Sequence, residues 1–294
     1  MYEEILDKIV WSFSAVNSYC NCPKGFKLAR IDHVPQVQNA FSDFGSFMHS
    51  LLEMYFKGEV EFFELSSIYQ EKYDENVTHK FPKNSYVDLS EKYYEDGKKY
   101  FDFFEGISDQ YEVLSVEVKA ELVIKGRPFI GFIDLILRDK EDGKIVIWDH
   151  KSKSGFKSKA ELRDYLHQLY LYALYVKEHY GEYPKELTFN MFRKNELITT
   201  AFDPEACNQA VDWFVETIDR IYNDILFDDK ISISYFKKFK DISSFKKDDF
   251  FCNELCGVRE HCERSSKYKG NRRKAGGQNS NRQGESKRSE RKTR

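Results

Sequence analysis

The residues able to do chemistry lie in two groups. Asp134 interrupts an otherwise apolar run, Phe129-Ile-Gly-Phe-Ile-Asp134-Leu-Ile-Leu137, and Asp149-His150-Lys151 follows after a short polar stretch. A carboxylate among such neighbours is expensive to bury unless it is paired or holds a metal. In an extended segment, alternation puts Asp149 and Lys151 on one face and His150 on the other. A carboxylate can then hold a cation while the adjacent ammonium reaches a water or a phosphate. Phosphodiester hydrolysis needs those parts: a metal to neutralise growing charge, ligands for it, and a group that activates water. Asp134 and Asp149 are hard oxygen donors suited to Mg²⁺ or Mn²⁺, and an added imidazole favours Mn²⁺. Gly131, three residues before Asp134, permits close backbone approach.

The second group is split between the chain ends, with Asn21-Cys22-Pro23 at one and Cys252-Asn-Glu-Leu-Cys256-Gly-Val-Arg-Glu-His-Cys262 at the other. Four thiolates from Cys22, Cys252, Cys256 and Cys262 fit one metal site that ties the ends together. Zinc and a [4Fe–4S] cluster both accept four cysteines. Cys20 competes with Cys22 as the first ligand, and His261 could enter a zinc site. Cys207 stands alone in a predicted helix and is expected to be packing. Six cysteines without a secretion signal argue against a disulfide scaffold.

The elements that must position these residues can be read from periodicity. The first third is helical. Ser12 or Ser14 caps a helix leading into Tyr19-Cys20-Asn21-Cys22-Pro23, Asp43 or Ser42 caps another bearing His49, and an aromatic-rich helix covers about 89–105. Residues 111–124, 129–138 and 145–151 read as strands separated by Gly126-Arg-Pro128 and Asp142-Gly143, an antiparallel meander. A helix over 158–180 stops at Gly181, a strand pair covers 187–193 and 197–202, and Asp203-Pro204 opens a helix to about 226. The order predicts a mixed α/β sheet flanked by helices.

Length and composition fit one large domain over residues 1–265. The hydrophobic fraction of 41% supplies a substantial core. No apolar stretch approaches membrane-spanning length, so a cytoplasmic protein is expected. The net charge of −3 conceals an asymmetry: residues 267–294 hold eleven Lys/Arg against Glu285 and Glu290, a local +9 that leaves −12 on residues 1–266. The segment 266–294 is expected to be a disordered basic tail with salt-dependent attraction to nucleic acid.

The motifs together resemble a known family. Gly131-x-x-Asp134, then Asp149-x-Lys151, then Gln168-Leu-Tyr-Leu-Tyr172 looks like the PD-(D/E)XK nucleases of the RecB nuclease-domain type. His49 in Gly45-Ser-Phe-Met-His49, with Glu53 one turn on, resembles that family's upstream histidine motif, and Ser12-Phe-Ser14 leading to Cys22-Pro23 its N-terminal signature. The resemblance runs from about Trp11 to Cys262. It implies the restriction-endonuclease-like fold, with His49, Asp134, Asp149 and the carbonyl of His150 as metal ligands and Lys151 orienting or activating water. Gln168 and Tyr172, placed on a helix face opposite the apolar stripe, would contact DNA or brace the site. The one-plus-three cysteine arrangement resembles the iron–sulfur staple of AddB-type and CRISPR-associated RecB-like nucleases, although the three-residue gap between Cys252 and Cys256 is longer than that family's usual two.

The resulting expectation is a Mg²⁺- or Mn²⁺-dependent DNA exonuclease acting on ends or single strands, in recombination, repair or CRISPR spacer processing. Any unwinding would come from a helicase or another partner protein. Glu117 and Glu121, on the first strand, are possible further acidic groups with nothing in the sequence to separate them from a solvated face. The competing expectation is a nuclease-fold DNA-binding or scaffold subunit with a structural cluster and little catalysis. The intact set of His49, Asp134, Asp149 and Lys151 favours the enzyme.

Overall fold

The computed structural model describes residues 2–226 and 249–269. Six helices precede the sheet: α1 (Tyr2–Leu6), α2 (Phe13–Asn21), α3 (Pro23–Phe26), α4 (Ala40–Phe56), α5 (Leu65–Asn76) and α6 (Leu89–Asp102). Strands β1 (Tyr111–Ile124), β2 (Arg127–Asp139) and β3 (Ile145–Lys151) follow, then α7 (Lys159–Tyr180), β4 (Glu186–Met191), β5 (Glu196–Ala201) and α8 (Pro204–Leu226). A π-helical turn, Phe251–Leu255, carries the first C-terminal cysteine.

The sheet order is β1-β2-β3-β4-β5. All neighbours are antiparallel except β3 and β4, which are parallel. A parallel pair cannot be joined by a tight turn and needs a crossover, which α7 supplies. The β1–β2 turn sits one residue earlier than the Gly-Arg-Pro stretch suggested. Lys125 and Gly126 both have positive φ, +46° and +81°, so the loop has the two-residue hairpin form whose twist matches that of the strands. Ser158 caps α7 by accepting the Glu161 N–H, and Gly181 ends it at φ +82°.

Two apolar cores sandwich the sheet. One lies against α7 and α8, around Phe129, Ile133, Ile147, Phe189, Leu169 and Phe214. The other lies beneath α4, α5 and α6, around Phe44, Met48, Leu52, Tyr69, Leu135 and Val146. Because α7 is covered by the sheet on one side and α8 on the other, its middle is buried on consecutive residues, 169–173, and Tyr172 is 4% exposed. The expected placement of Tyr172 opposite an apolar stripe is therefore corrected.

The cap of α4 also differs from expectation. Asn39 accepts the Ser42 N–H while Ser42 Oγ accepts the Asn39 N–H, a reciprocal capping box. Asp43 is used elsewhere: its Oδ2 accepts the backbone N–H groups of Thr78 and His79 and lies 2.8 Å from His79 Nδ1. The helix α5 has only weak apolar patterning and was not anticipated. At its far end β2 leaves β3 and is joined by the N-terminal segment instead, in a parallel bridge: Trp11 N–H donates to Pro128 O at 2.9 Å and Ile130 N–H to Trp11 O at 2.7 Å.

Candidate active site

Three carboxylates lie in a row across three strands. The β2–β3 ladder ends at the pair Leu135–Trp148, and its register places Asp149 opposite Asp134 one step further on. On the other side, Glu117 faces Asp134 between the pairs Val116–Leu135 and Val118–Ile133. Glu117 has a φ of +48°, a left-handed conformation in mid-strand that a non-glycine residue adopts only at a cost.

The same point is where both strands of the hairpin change face. Val118, Ala120, Leu122 and Ile124 pack toward α7 and α8, whereas Val116, two residues earlier, packs toward the N-terminal helices. On β2, Phe129 and Ile133 face α7 while Leu135 and Leu137 face the other core. A one-residue slip in alternation turns every side chain to the opposite face. Here it occurs in both strands at Glu117 and Asp134, and it aims the two acids at one place.

Helix α4 brings His49 over this row. His49 Nδ1 is 3.7 Å from Asp134 Oδ2 and 3.9 Å from Glu117 Oε1. One ligand atom from each of His49, Glu117 and Asp134 falls within 4.8 Å of the others. Asp134 Oδ2 also accepts the backbone N–H of His150 at 2.6 Å. The His150 side chain points away, as alternation requires: its ring stacks on Phe56 and its Nδ1 is 3.0 Å from the Asn190 amide. Burial holds its pKa well below the usual imidazole value, so it is neutral.

Lys151 Nζ lies 2.5 Å from Asp149 Oδ2 and donates to Gln168 Oε1 at 2.8 Å. Gln168 in turn donates to Tyr172 Oη at 2.9 Å. The side chains four apart on α7 therefore form a bracket that fixes the ammonium, and Gly131 makes room for it. A Cβ at residue 131 would run into the Tyr172 ring. Asp149 Oδ2, fully buried, has the ammonium beside it but no hydrogen bond. Glu53 turns outward and pairs with Lys57 one turn on.

The electrostatics show a deficit of positive charge. Burial, then repulsion from Asp149, pushes the Asp134 carboxyl up to about 7 despite the attraction of His49 and Lys151. For His49, burial alone would lower the pKa. The nearby Glu117 carboxylate and the charges of Asp134 and Asp149 outweigh it and hold the imidazole above its usual value.

The four expected cysteines lie near enough to act on one another through their charge. Burial, then Asp249 and the charges of Cys22, Cys256 and Cys262, push the Cys252 thiol up to about 12, and Cys22 also acts on Cys256 and Cys262. Cys22 Sγ accepts the Gly25 N–H at 3.3 Å at the start of α3. Cys20 faces away, its sulfur 3.7 Å from Arg220. Cys207 is buried, with its thiol on the Tyr170 carbonyl. The C-terminal segment is docked on the stretch before α4: Val37 N–H donates to Gly257 O, Arg259 to the carbonyls of Val37 and Gln38, and the Asn39 amide to Leu255 O. Lys24 and Glu263 form an ion pair beside it.

The sequence profile of the PD-(D/E)XK nuclease superfamily matches residues 10–263. The chain belongs to that superfamily. Its five-stranded mixed sheet with flanking helices is the restriction-endonuclease-like fold of the PD-(D/E)XK nucleases, which use divalent metals. A solved structure of a "putative exonuclease" from Eubacterium rectale is similar at 12% identity, covering 76% of this chain and 84% of that one, with a TM-score of 0.42. A likeness so distant carries no argument about function. No curated protein matches the chain. No described helix is long and apolar enough to cross a membrane.

For a PD-(D/E)XK nuclease the donor set fits a hard divalent ion. Oxygen and imidazole donors a few ångströms apart, a carboxyl that burial and a neighbouring carboxylate push up to about 7, and a buried oxygen without a hydrogen bond are what a cation would resolve. Glu117 is the member sequence reasoning left unresolved beside Glu121. Glu121 is exposed and pairs with Lys119, and only the backbone turn at Glu117 separates the two. The one sequence signal that could have pointed to it is the mismatch of apolar alternation on its two sides.

Proposed function

We propose that this nuclease is a RecB-like deoxyribonuclease, an exonuclease in that family's manner, dependent on Mg²⁺ or Mn²⁺. His49, Glu117, Asp134, Asp149 and the carbonyl of His150 would hold the ion. Once bound, it would neutralise charge on the scissile phosphate and acidify a water. Lys151, fixed by Asp149 and the Gln168–Tyr172 bracket, orients the attacking water or the phosphate. The observation that carries the reading is the row Glu117, Asp134, Asp149 with Lys151 against it, at the point where β2 and β3 part. There Asp134 and Asp149 stay buried while Glu117 and His49 are partly exposed.

Cys22, Cys252, Cys256 and Cys262 are proposed to bind a [4Fe–4S] cluster. The reading rests on the one-plus-three arrangement, a first cysteine far in sequence from the other three, where zinc sites usually come as two close pairs. The positive side chains of Lys24 and Arg264, which act on Cys262 and with Cys22, complement thiolate charge. Residues 1–265 are taken as one nuclease unit. The basic tail, which lies outside the described residues from 270 on, would add sequence-independent attraction to DNA.

The deciding experiment uses purified protein on 5′- and 3′-labelled single- and double-stranded DNA with Mg²⁺, Mn²⁺ or EDTA. Metal-dependent shortening from an end is expected. Cleavage that survives Asp149→Ala would overturn the assignment of the site. Iron content and visible absorbance, set against zinc content, test the cluster.

A further inference from the structure

Beside Lys151 an open trough of about 450 Å³ runs between α2–α3 and the cysteine-bearing C-terminal segment. A second cavity, about 320 Å³, continues past Ser12 and Tyr172 to the outer part of β2 and shares Phe13, Ser14 and Gln168 with the first. The two therefore meet at the bracket that holds Lys151. Each is of the size of small-ligand sites and far too small for a duplex.

We infer that this trough is a track for a single unpaired nucleic-acid strand, held by Asn17, Asn21, Arg30 and Gln36. The inference rests on the nuclease reading above and extends it to residues outside the metal centre. Three observations carry it. The first is charge: residues 1–266 carry a net −12, yet among the described residues no carboxylate lines either cavity, while Lys151 and Arg30 line the larger one. In a body of that net charge, a wall without carboxylates suits a polyanion.

The second is the lining. Ser14, Asn17, Ser18 and Asn21 recur at three- and four-residue spacing, so they form one polar face of α2 opposite buried Ala15, Val16 and Tyr19. The side chains of Asn17, Asn21, Arg30 and Gln36 make no hydrogen bond or ion pair among the described residues. Neutral amides with one cation are donors suited to phosphate and sugar oxygens rather than to a fixed sequence of bases. The third is the pair of aromatic side chains flanking the path. Phe132 and Phe251 are 54% and 50% exposed, one at each cavity. Exposed aromatic faces stack unpaired bases and have no use for paired ones.

The test is binding, read separately from cleavage. Fluorescence anisotropy of a labelled oligothymidylate is measured with the full chain in EDTA, for the wild type and for Arg30→Glu, Asn21→Asp and Asn17→Ala, each checked for an unchanged melting temperature. The two charge-introducing variants should weaken binding on the order of tenfold, with a shallower salt dependence. Arg30→Lys should restore most of it. Lys144→Glu, an equal charge reversal at the Asp142-Gly143 turn, should leave affinity within about twofold.

Arg30→Glu and Asn21→Asp binding as tightly as wild type overturns the track. So does a duplex of the same length bound as tightly as the single strand and weakened equally by Arg30→Glu. An oligouridylate arm tells whether the strand must be DNA. A protein that binds through Arg30 and Asn21 but never cleaves would sink the nuclease reading and leave the track standing. One that cleaves, with binding indifferent to these residues, would do the reverse.

Discussion

The carboxylate site and the cysteine site are built by opposite means. Glu117, Asp134, Asp149 and Lys151 project from adjacent strands whose ladder fixes their spacing before any ion arrives. The cysteines come from a helix start at residue 22 and a π-helical turn and loop beyond residue 249, which hydrogen bonds and the Lys24–Glu263 ion pair join to the body. The first site spends stability to hold unmatched charge in place. The second gains stability from whatever fills it. Where function requires pre-set geometry, the donors sit on a sheet; where a group serves to join distant chain segments, they sit on loops it can pull together.

This contrast can be broken most decisively by mutation. Asp149→Ala should reduce metal-dependent cleavage to background, and Lys151→Ala should cost on the order of a thousandfold. Both variants should keep their melting temperature within a few degrees. Unfolding of either would mean that the carboxylate site is structural after all.

Next in size, Cys256→Ala should lower stability by roughly 3 kcal/mol and remove bound iron, while leaving the carboxylate row intact. Calorimetry and iron analysis check it, and full iron with unchanged melting would end the staple proposal. Because the Asn39 amide that meets Leu255 also belongs to the cap of α4, the variant should weaken divalent-metal affinity slightly through His49.

A third expectation concerns pH. The Asp134 carboxyl titrates near 7 in the folded chain and near 4 when unfolded. Between those values the native state keeps a proton that the unfolded chain loses, so metal-free stability should fall as pH rises from about 4 to 7. Asp134→Asn should flatten that slope and raise metal-free stability at pH 8 by up to a few kcal/mol, while abolishing cleavage. An unchanged slope in denaturation curves would show the carboxylate to be better compensated than its surroundings suggest.

The smallest effect belongs to Glu117. Replacing it with glycine relieves a left-handed φ and should stabilise the metal-free chain by about 1 kcal/mol. The same change should raise the metal concentration needed for half-maximal cleavage. Equal metal dependence would remove Glu117 from the donor set.

Local signals account for what could be read in the sequence. Strand alternation placed Asp149 and Lys151 together and turned His150 away, and Ser158 with Gly181 bounded α7 to within a residue. Gly131 followed by Asp134 marked a strand with a constraint on it, now explained by the Tyr172 ring. Features set by tertiary contact could not be read in the same way. Asn39 caps α4 rather than Ser42 or Asp43 because Asp43 is drawn to the backbone at Thr78 and His79, thirty-five residues on. Tyr172 is buried because α8 covers the outer side of α7, a partner that helical periodicity does not reveal. Cys22 and Cys20 are separated by which way α2 ends: Cys22 lies just past its last turn and caps α3, while Cys20 looks toward Arg220 on α8.

The bridge from Trp11 to the outer part of β2 has a consequence for handling the protein. Where β3 departs, β2 would otherwise present unpaired N–H and C=O groups at an open sheet edge, next to the exposed Phe132 and Val123. Such an edge is a template for another chain. A protein shortened past Trp11 should therefore be prone to self-association through β2 even if its sheet still forms, and the first dozen residues are best kept in any version made for crystallisation or assay.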